Sequence, residues 1–164
     1  MRPIPSLLLV LALLSGAYPA AAQETPVEAL RGLNVIEFSV IGVTPEMEAE
    51  GLYSRDILDE IDRRLRGTRL LLRRGRARSL AGTGALDPLL QVTPSCRQIG
   101  GGRRLCQVSV ELREGVSLVR DPSVRFLGTS WRNVWFGEVN RYSELRERIE
   151  SMVDQFAQDY GAVN

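Results

Sequence analysis

The 164-residue chain has no histidine and no lysine. Without imidazole there is no Ser-His-Asp or Cys-His relay and no histidine-ligated metal. Without an amine side chain there is no Schiff base. Every basic residue is arginine, which keeps its proton. Carboxylates, Tyr, Ser, Thr and Arg are what remain for chemistry. Pairs such as Glu111/Glu114 or Asp121/Glu138 are spaced no better for acid/base work than others among the 20 acids. Phosphate-cradling loops are missing too, because Gly100-Gly101-Gly102 leads into a strand pattern and not into a helix N-terminus. The residues imply a non-catalytic protein with no cofactor.

Long apolar runs are also missing. The longest is Leu7 to Leu14, eight residues and too short to span a bilayer. A basic start, Met1-Arg2-Pro3, precedes it and Ala20-Ala21-Ala22 follows. This is the pattern of a Sec-type signal peptide over 1–22, cleaved after Ala22. No cysteine follows the apolar run, which disfavours a lipid anchor. The expected mature chain, 23–164, has 142 residues, enough for one domain. Losing Arg2 leaves 20 Arg against 20 acids, a formal charge of zero. That neutral average argues against nucleic acid as a partner. The expected location is periplasmic or secreted, with no stable membrane span.

Only two cysteines occur, Cys96 and Cys106. Nine residues separate them, unlike a C-x-x-C redox motif. Folding the chain about Gly101 sets Cys96 opposite Cys106, Pro94 opposite Val108, Val92 opposite Val110 and Leu90 opposite Leu112. All are even-numbered and share one face of a period-two ribbon. Gln91, Thr93, Ser95, Gln107, Ser109 and Glu111 form the other face, which suits water. One register satisfies turn, apolar face and cysteine pair together, so a structural disulfide is expected in an exported protein.

Elsewhere, 23–31 reads as loose and 33–41 as a strand. Thr44-Pro45 opens a short helical turn. Ser54 reads as the cap of a helix over 55–66, with Ile57, Leu58, Ile61 and Leu65 on one stripe. Its other face carries Asp59/Arg63, Glu60/Arg64 and Asp62/Arg66 at i,i+4. A strand over 68–73 and a loop over 75–88 precede the hairpin, and Gly115 is read as a bulge or bend. Residues 124–136 read as one strand or two, broken near Gly128. Ser143 is expected to cap a final helix over 144–160, stopped by Gly161. The fold class is α+β: a two-layer sandwich, with an antiparallel or mixed sheet of 4–5 strands and two main helices on one face.

Two clusters are candidate binding sites. Arg63, Arg64, Arg66, Arg69, Arg73, Arg74, Arg76 and Arg78 fall within 16 residues with no acid among them. They form either a surface for anionic partners, centred on Arg64, Arg69, Arg73, Arg74 and Arg76, or a set neutralised by the acids upstream. Trp131 and Trp135 share a face if 129–135 is extended. Exposed, they make a platform for sugar rings or a partner side chain; buried, they are core or edge packing.

The signal peptide, Gly51-Leu52 before the Ser54–Arg66 helix, Val116-Ser117-Leu118-Val119-Arg120, Thr129-Ser130-Trp131 and the Phe156…Tyr160…Asn164 ending resemble a group of uncharacterised secreted bacterial proteins. The resemblance implies a cell-envelope or secreted location and a compact α+β domain, with no activity attached. The expected partner is an envelope protein, or alternatively an anionic or sugar ligand; a carboxylate-based hydrolase is the third reading.

Overall fold

Residues 27–75 and 87–164 are described by a computed structural model. The leader at 1–22, most of the 75–88 loop, and Arg76 and Arg78 lie outside the described residues. A 3₁₀ turn at Val27–Leu30 is followed by β1 (Val35–Val40), α1 (Pro45–Ala49), α2 (Ser54–Leu65), β2 (Leu71–Arg74), β3 (Leu89–Gly100), β4 (Arg103–Leu118), β5 (Asp121–Val139) and α3 (Tyr142–Val163).

The five strands form one mixed sheet in the order β2-β1-β3-β4-β5. β1 pairs in parallel with β2 and β3, while β4 runs antiparallel to β3 and β5. Parallel neighbours need a long crossover, which α1 and α2 provide between β1 and β2. β2 and β3 flank β1 and run parallel to it, so the chain between Arg74 and Leu89 is a second crossover, while short turns join β3 to β4 and β4 to β5. The class is α+β, as the element order implies.

The β3–β4 register is the one the sequence dictates. Leu90 faces Leu112, Val92 faces Val110, Pro94 faces Val108 and Cys96 faces Cys106. The two sulfurs are bonded at 2.03 Å, with Cα atoms 4.1 Å apart. Gly100, Gly101 and Gly102 have φ of 94°, 62° and 75°, a left-handed run that only glycine makes without strain.

The core joins Ile36 and Phe38 of β1, Leu90 and Val92 of β3, and Val108, Val110 and Leu112 of β4 to Ile57, Ile61 and Leu65 of α2 and to one face of α3. At the far side Trp131 of β5 meets the Phe156 ring edge-on, with centroids 5.1 Å apart and planes at 78°.

Several boundaries differ from expectation, for local reasons. The N–H of Ile57 donates to the Tyr53 carbonyl, so α2 begins one residue early and Ser54 does not cap it. Ser143 does not cap α3; instead Glu144 reaches back to accept from the Asn140 N–H at 3.3 Å. Gly161 does not stop α3, because Asn164 accepts from Gly32 N–H through Oδ1 and donates to the Leu30 carbonyl, holding the last turn. Those bonds, with Leu30 fully buried, also order the 3₁₀ turn in a stretch read as loose. Pro45 does open α1, with Thr44 Oγ1 accepting from Met47 N–H at 3.4 Å.

β5 is one strand of 19 residues. Gly128 does not break it. A Cβ there would lie 2.9 Å from a Val116 methyl, so glycine permits the strands to pair closely. The irregularity falls at Ser130, the extra residue between Trp131, opposite Leu112, and Thr129, opposite Arg113. Gly115 is an ordinary ladder position.

Candidate functional site

β4 and β5 run on past the rest of the sheet. The last β3 partner of β4 is Arg113, opposite Leu89. From Glu114, opposite Gly128, to Leu118 the two strands pair only with each other among the described residues. Five residues at the strand rise carry this ribbon roughly 17 Å beyond the sheet. Val116 and Phe126 are directly opposite on one face, with Val124 and Leu118 further out. This face continues the core side of the sheet across the Ser130 bulge. Phe126 is 49% exposed, Val124 43%, and Val119 at the tip fully exposed.

The tip is fixed by Asp121, whose Oδ1 accepts from the Ser123 hydroxyl at 2.6 Å and from its N–H at 3.1 Å. Those bonds, the hydroxyl first, hold its carboxyl below the ordinary aspartate range. Arg120 and Arg125 flank the apolar residues. The ribbon is thus a projecting two-stranded element with an ordered turn, an apolar face and few charges.

The arginine cluster is arranged differently. Arg64, on α2, reaches Glu60 on its own helix and both Glu150, at 2.7 Å, and Asp154 on α3. Arg63 also binds Glu60, and Arg66 binds Asp62 at 2.6 Å. Burial by itself would raise the Glu60 pKa; hydrogen bonds from Arg63 and Arg64, and their charge, outweigh it and hold the carboxyl below its usual value. Arg74 pairs with Asp59 at 2.6 Å, and Arg73 with Asp87 at 2.8 Å. Arg69 donates to the Asn164 carbonyl at 3.5 Å. Every described member thus has a protein acceptor. The expected Asp59/Arg63 pair does not form, since both choose other partners.

The tryptophan pair is also split. Trp131 is 2% exposed and donates from Nε1 to Asp159 at 2.9 Å. The exposed-platform reading is therefore corrected for Trp131: Phe156 and Asp159 hold it inside. Trp135 is half-buried, with the Arg148 guanidinium 5.5 Å above its ring. Arg73 and Arg74 lie on β2 and Trp135 on β5, at opposite edges of five strands. Four strand spacings put them roughly 19 Å apart, so the two clusters do not make one site.

The imagined carboxylate pairs separate as well. Asp121 and Glu138 stand near opposite ends of β5, roughly 55 Å apart by strand rise. Glu111 and Glu114 fall on opposite faces of β4, and Glu111 pairs with Arg132 at 3.1 Å.

Two features escape sequence reading. Gln91 and Ser109, assigned to a wet face, are buried, as is Ser39 beside them. Arg113 lies over this region and donates to Gln91 Oε1 at 3.2 Å. Ser39 Oγ and Arg113 Nε find no hydrogen-bond partner among the described residues. The second is Arg104, 8% exposed, which donates to the Asn140 carbonyl at 3.0 Å and to Glu50 while stacking 4.6 Å from the Tyr142 ring centre. It ties β4 to the end of α1 and to the start of α3.

Neither the family models nor the curated proteins contain a match to this chain. The disulfide suits an oxidising compartment, and no helix among the described residues is long and apolar enough to cross a membrane.

Proposed function

We propose that this chain is a non-catalytic, exported protein-interaction module of the bacterial cell envelope, which docks a partner protein through the β4–β5 ribbon. The carrying observation is the apolar face formed by Val116, Leu118, Val124 and Phe126, where β4 and β5 pair only with each other among the described residues and Val124 and Phe126 are exposed. Two-stranded ribbons are marginal in water alone, and burial of a Phe and neighbouring Val side chains contributes on the order of 1.5–3 kcal/mol each. The apolar residues and ordered tip fit a groove or a sheet on another protein. The export reading, with residues 1–22 as leader and a periplasmic or secreted address, agrees with the disulfide. We also read the helices as one layer on one face of the sheet, which leaves the ribbon as the element projecting from a two-layer body.

An anionic or sugar ligand is less well served, because Arg64 and Trp131 are already engaged inside the protein. The test places a photo-crosslinking residue at Val119 in the mature, oxidised protein and exposes it to envelope fractions. One discrete heterologous adduct is expected, and Val124→Ser/Phe126→Ser should abolish it while the circular dichroism stays unchanged. An adduct pattern indifferent to those substitutions, or no adduct with another protein, overturns the reading.

A further inference from the structure

The other half of β5 carries a separate message. β5 is an edge strand, and over Arg132–Val139 none of the described residues pairs with its outer side. Proteins usually blunt such an edge with proline, a bulge, charged side chains or a covering loop. Pro122 and the Ser130 bulge lie earlier, and the two charges of 132–139, Arg132 and Glu138, stand at its ends and are opposite in sign, each paired with a partner on β4. Val134 and Phe136, on the face away from Trp131, are 43% and 65% exposed.

We propose that this edge is a homodimer interface, in which β5 of two copies pair antiparallel about a twofold axis at Trp135. The argument is the register. Directly opposed residues of an antiparallel pair share a face. A centre at Trp135 sets Val134 opposite Phe136 of the second copy, Arg132 opposite Glu138, Asn133 opposite Gly137, and Trp131 opposite Val139. Apolar meets apolar and each arginine meets a carboxylate, twice over by symmetry. A centre at Val134 would put Arg132 against Phe136, and a centre at Phe136 would put Glu138 against Val134. A centre between residues would set outward side chains against inward ones. The segment Arg132-Asn133-Val134-Trp135-Phe136-Gly137-Glu138 is self-complementary in one register alone of these.

The charges already in place agree. Within one copy Arg132 pairs with Glu111 at 3.1 Å, and Glu138 with Arg103 at 3.0 Å. Joining two edges gives a row of Glu111, Arg132, then Glu138 and Arg103 of the second copy, alternating in sign across the joint. On the other face the edge is flat enough for a neighbour: the Trp135 ring lies along the strand over Gly137, where an added Cβ would sit 2.5 Å from it. The twofold axis pairs this stretch of β5 with itself, so the contact is isologous and closes at two copies, leaving the ribbon free and four-residue β2 at the other edge of each sheet.

Sedimentation of the purified, oxidised mature chain at low ionic strength tests the proposal. A concentration-dependent dimer is expected. Arg132→Glu or Glu138→Arg alone sets like charges opposite each other on both symmetric rungs and should weaken the dimer about tenfold. The double variant Arg132→Glu/Glu138→Arg restores opposite charges across the joint, though not within each copy, and should recover most of the affinity. Phe136→Lys, at a mostly exposed position, should give monomer with unchanged circular dichroism. A chain that stays monomeric at 100 μM, as it would if a strand of some other protein fills this edge, overturns the proposal. So does a double variant no better than either single one. Phe126→Ser, which tests the ribbon, should leave the dimer intact, so the two readings fail separately.

Discussion

At the scale of the residue, Glu60 shows how the arginine-rich stretch is stabilised. Its carboxylate accepts from Arg63 and Arg64, and Arg64 bridges onward to Glu150 and Asp154, so one acid orients the guanidinium that ties α2 to α3. Because the folded-state pKa of Glu60 is lowered, its contribution to stability is fully present above the unfolded value and is lost as pH falls through the folded value. Glu60→Gln is expected to cost about 1–3 kcal/mol at pH 7 and to flatten the acid side of the stability curve. Urea melts at pH 7 and below pH 4 check this; an equal loss at both values would mean that its ionisation is not what matters. The Glu60/Arg64 pairing was legible from i,i+4 spacing. The links to Glu150 and Asp154 were not, because spacing along one helix says nothing of the helix packed beside it. Trp131 is a similar case: residue type allows inside or outside, and Phe156 and Asp159, more than 24 positions away, decide it.

At the scale of the element, the β3–β4 hairpin was legible because three independent signals coincide at one centre. Glycines with positive φ, an even-numbered apolar face and a lone cysteine pair agree on Gly101, and a slip of one residue violates all three. β5 was not, since Gly128 and Pro122 look like breaks when read locally. Their tolerance comes from the neighbour and from the edge: Gly128 makes room for Val116, and Pro122 needs no ladder hydrogen. Helix starts were off by a residue or two because backbone and Glu144 caps replaced the serines. Replacing both cysteines with alanine, Cys96→Ala/Cys106→Ala, avoids burying a new hydroxyl at fully buried Cys106. The loss should be about 2.5–3 kcal/mol in the chain-entropy account, seen as a lower urea midpoint with the same far-ultraviolet spectrum. A variant that unfolds outright would show that the hairpin depends on the staple and not on its apolar face.

At the scale of the molecule, stability and interaction occupy different parts of the same two strands. All buried core residues of β4 and β5 lie between Arg104 and Leu112 or between Trp131 and Val139, and none falls in the ribbon from Glu114 to Gly128. A two-residue Asn-Gly turn suits a hairpin, so replacing 115–127 with Asn-Gly closes the chain directly between Glu114 and Gly128. The shortened protein removes half-buried and exposed side chains only, and its urea stability is expected to fall by less than about 2 kcal/mol, against the 2–5 kcal/mol typical of losing a single large core side chain. The variant lacks Val119, so it enters the crosslinking test as an unlabelled competitor: it should fail to reduce the adduct of the Val119-labelled protein, which an excess of the intact unlabelled chain should suppress. The shortened protein should keep the β5-edge dimer, whose paired residues lie beyond the deletion. Urea melts, crosslinking and sedimentation on this one protein separate the three roles. A large loss of stability would instead assign the ribbon to the fold, and its exposed Phe126 would then need a structural explanation.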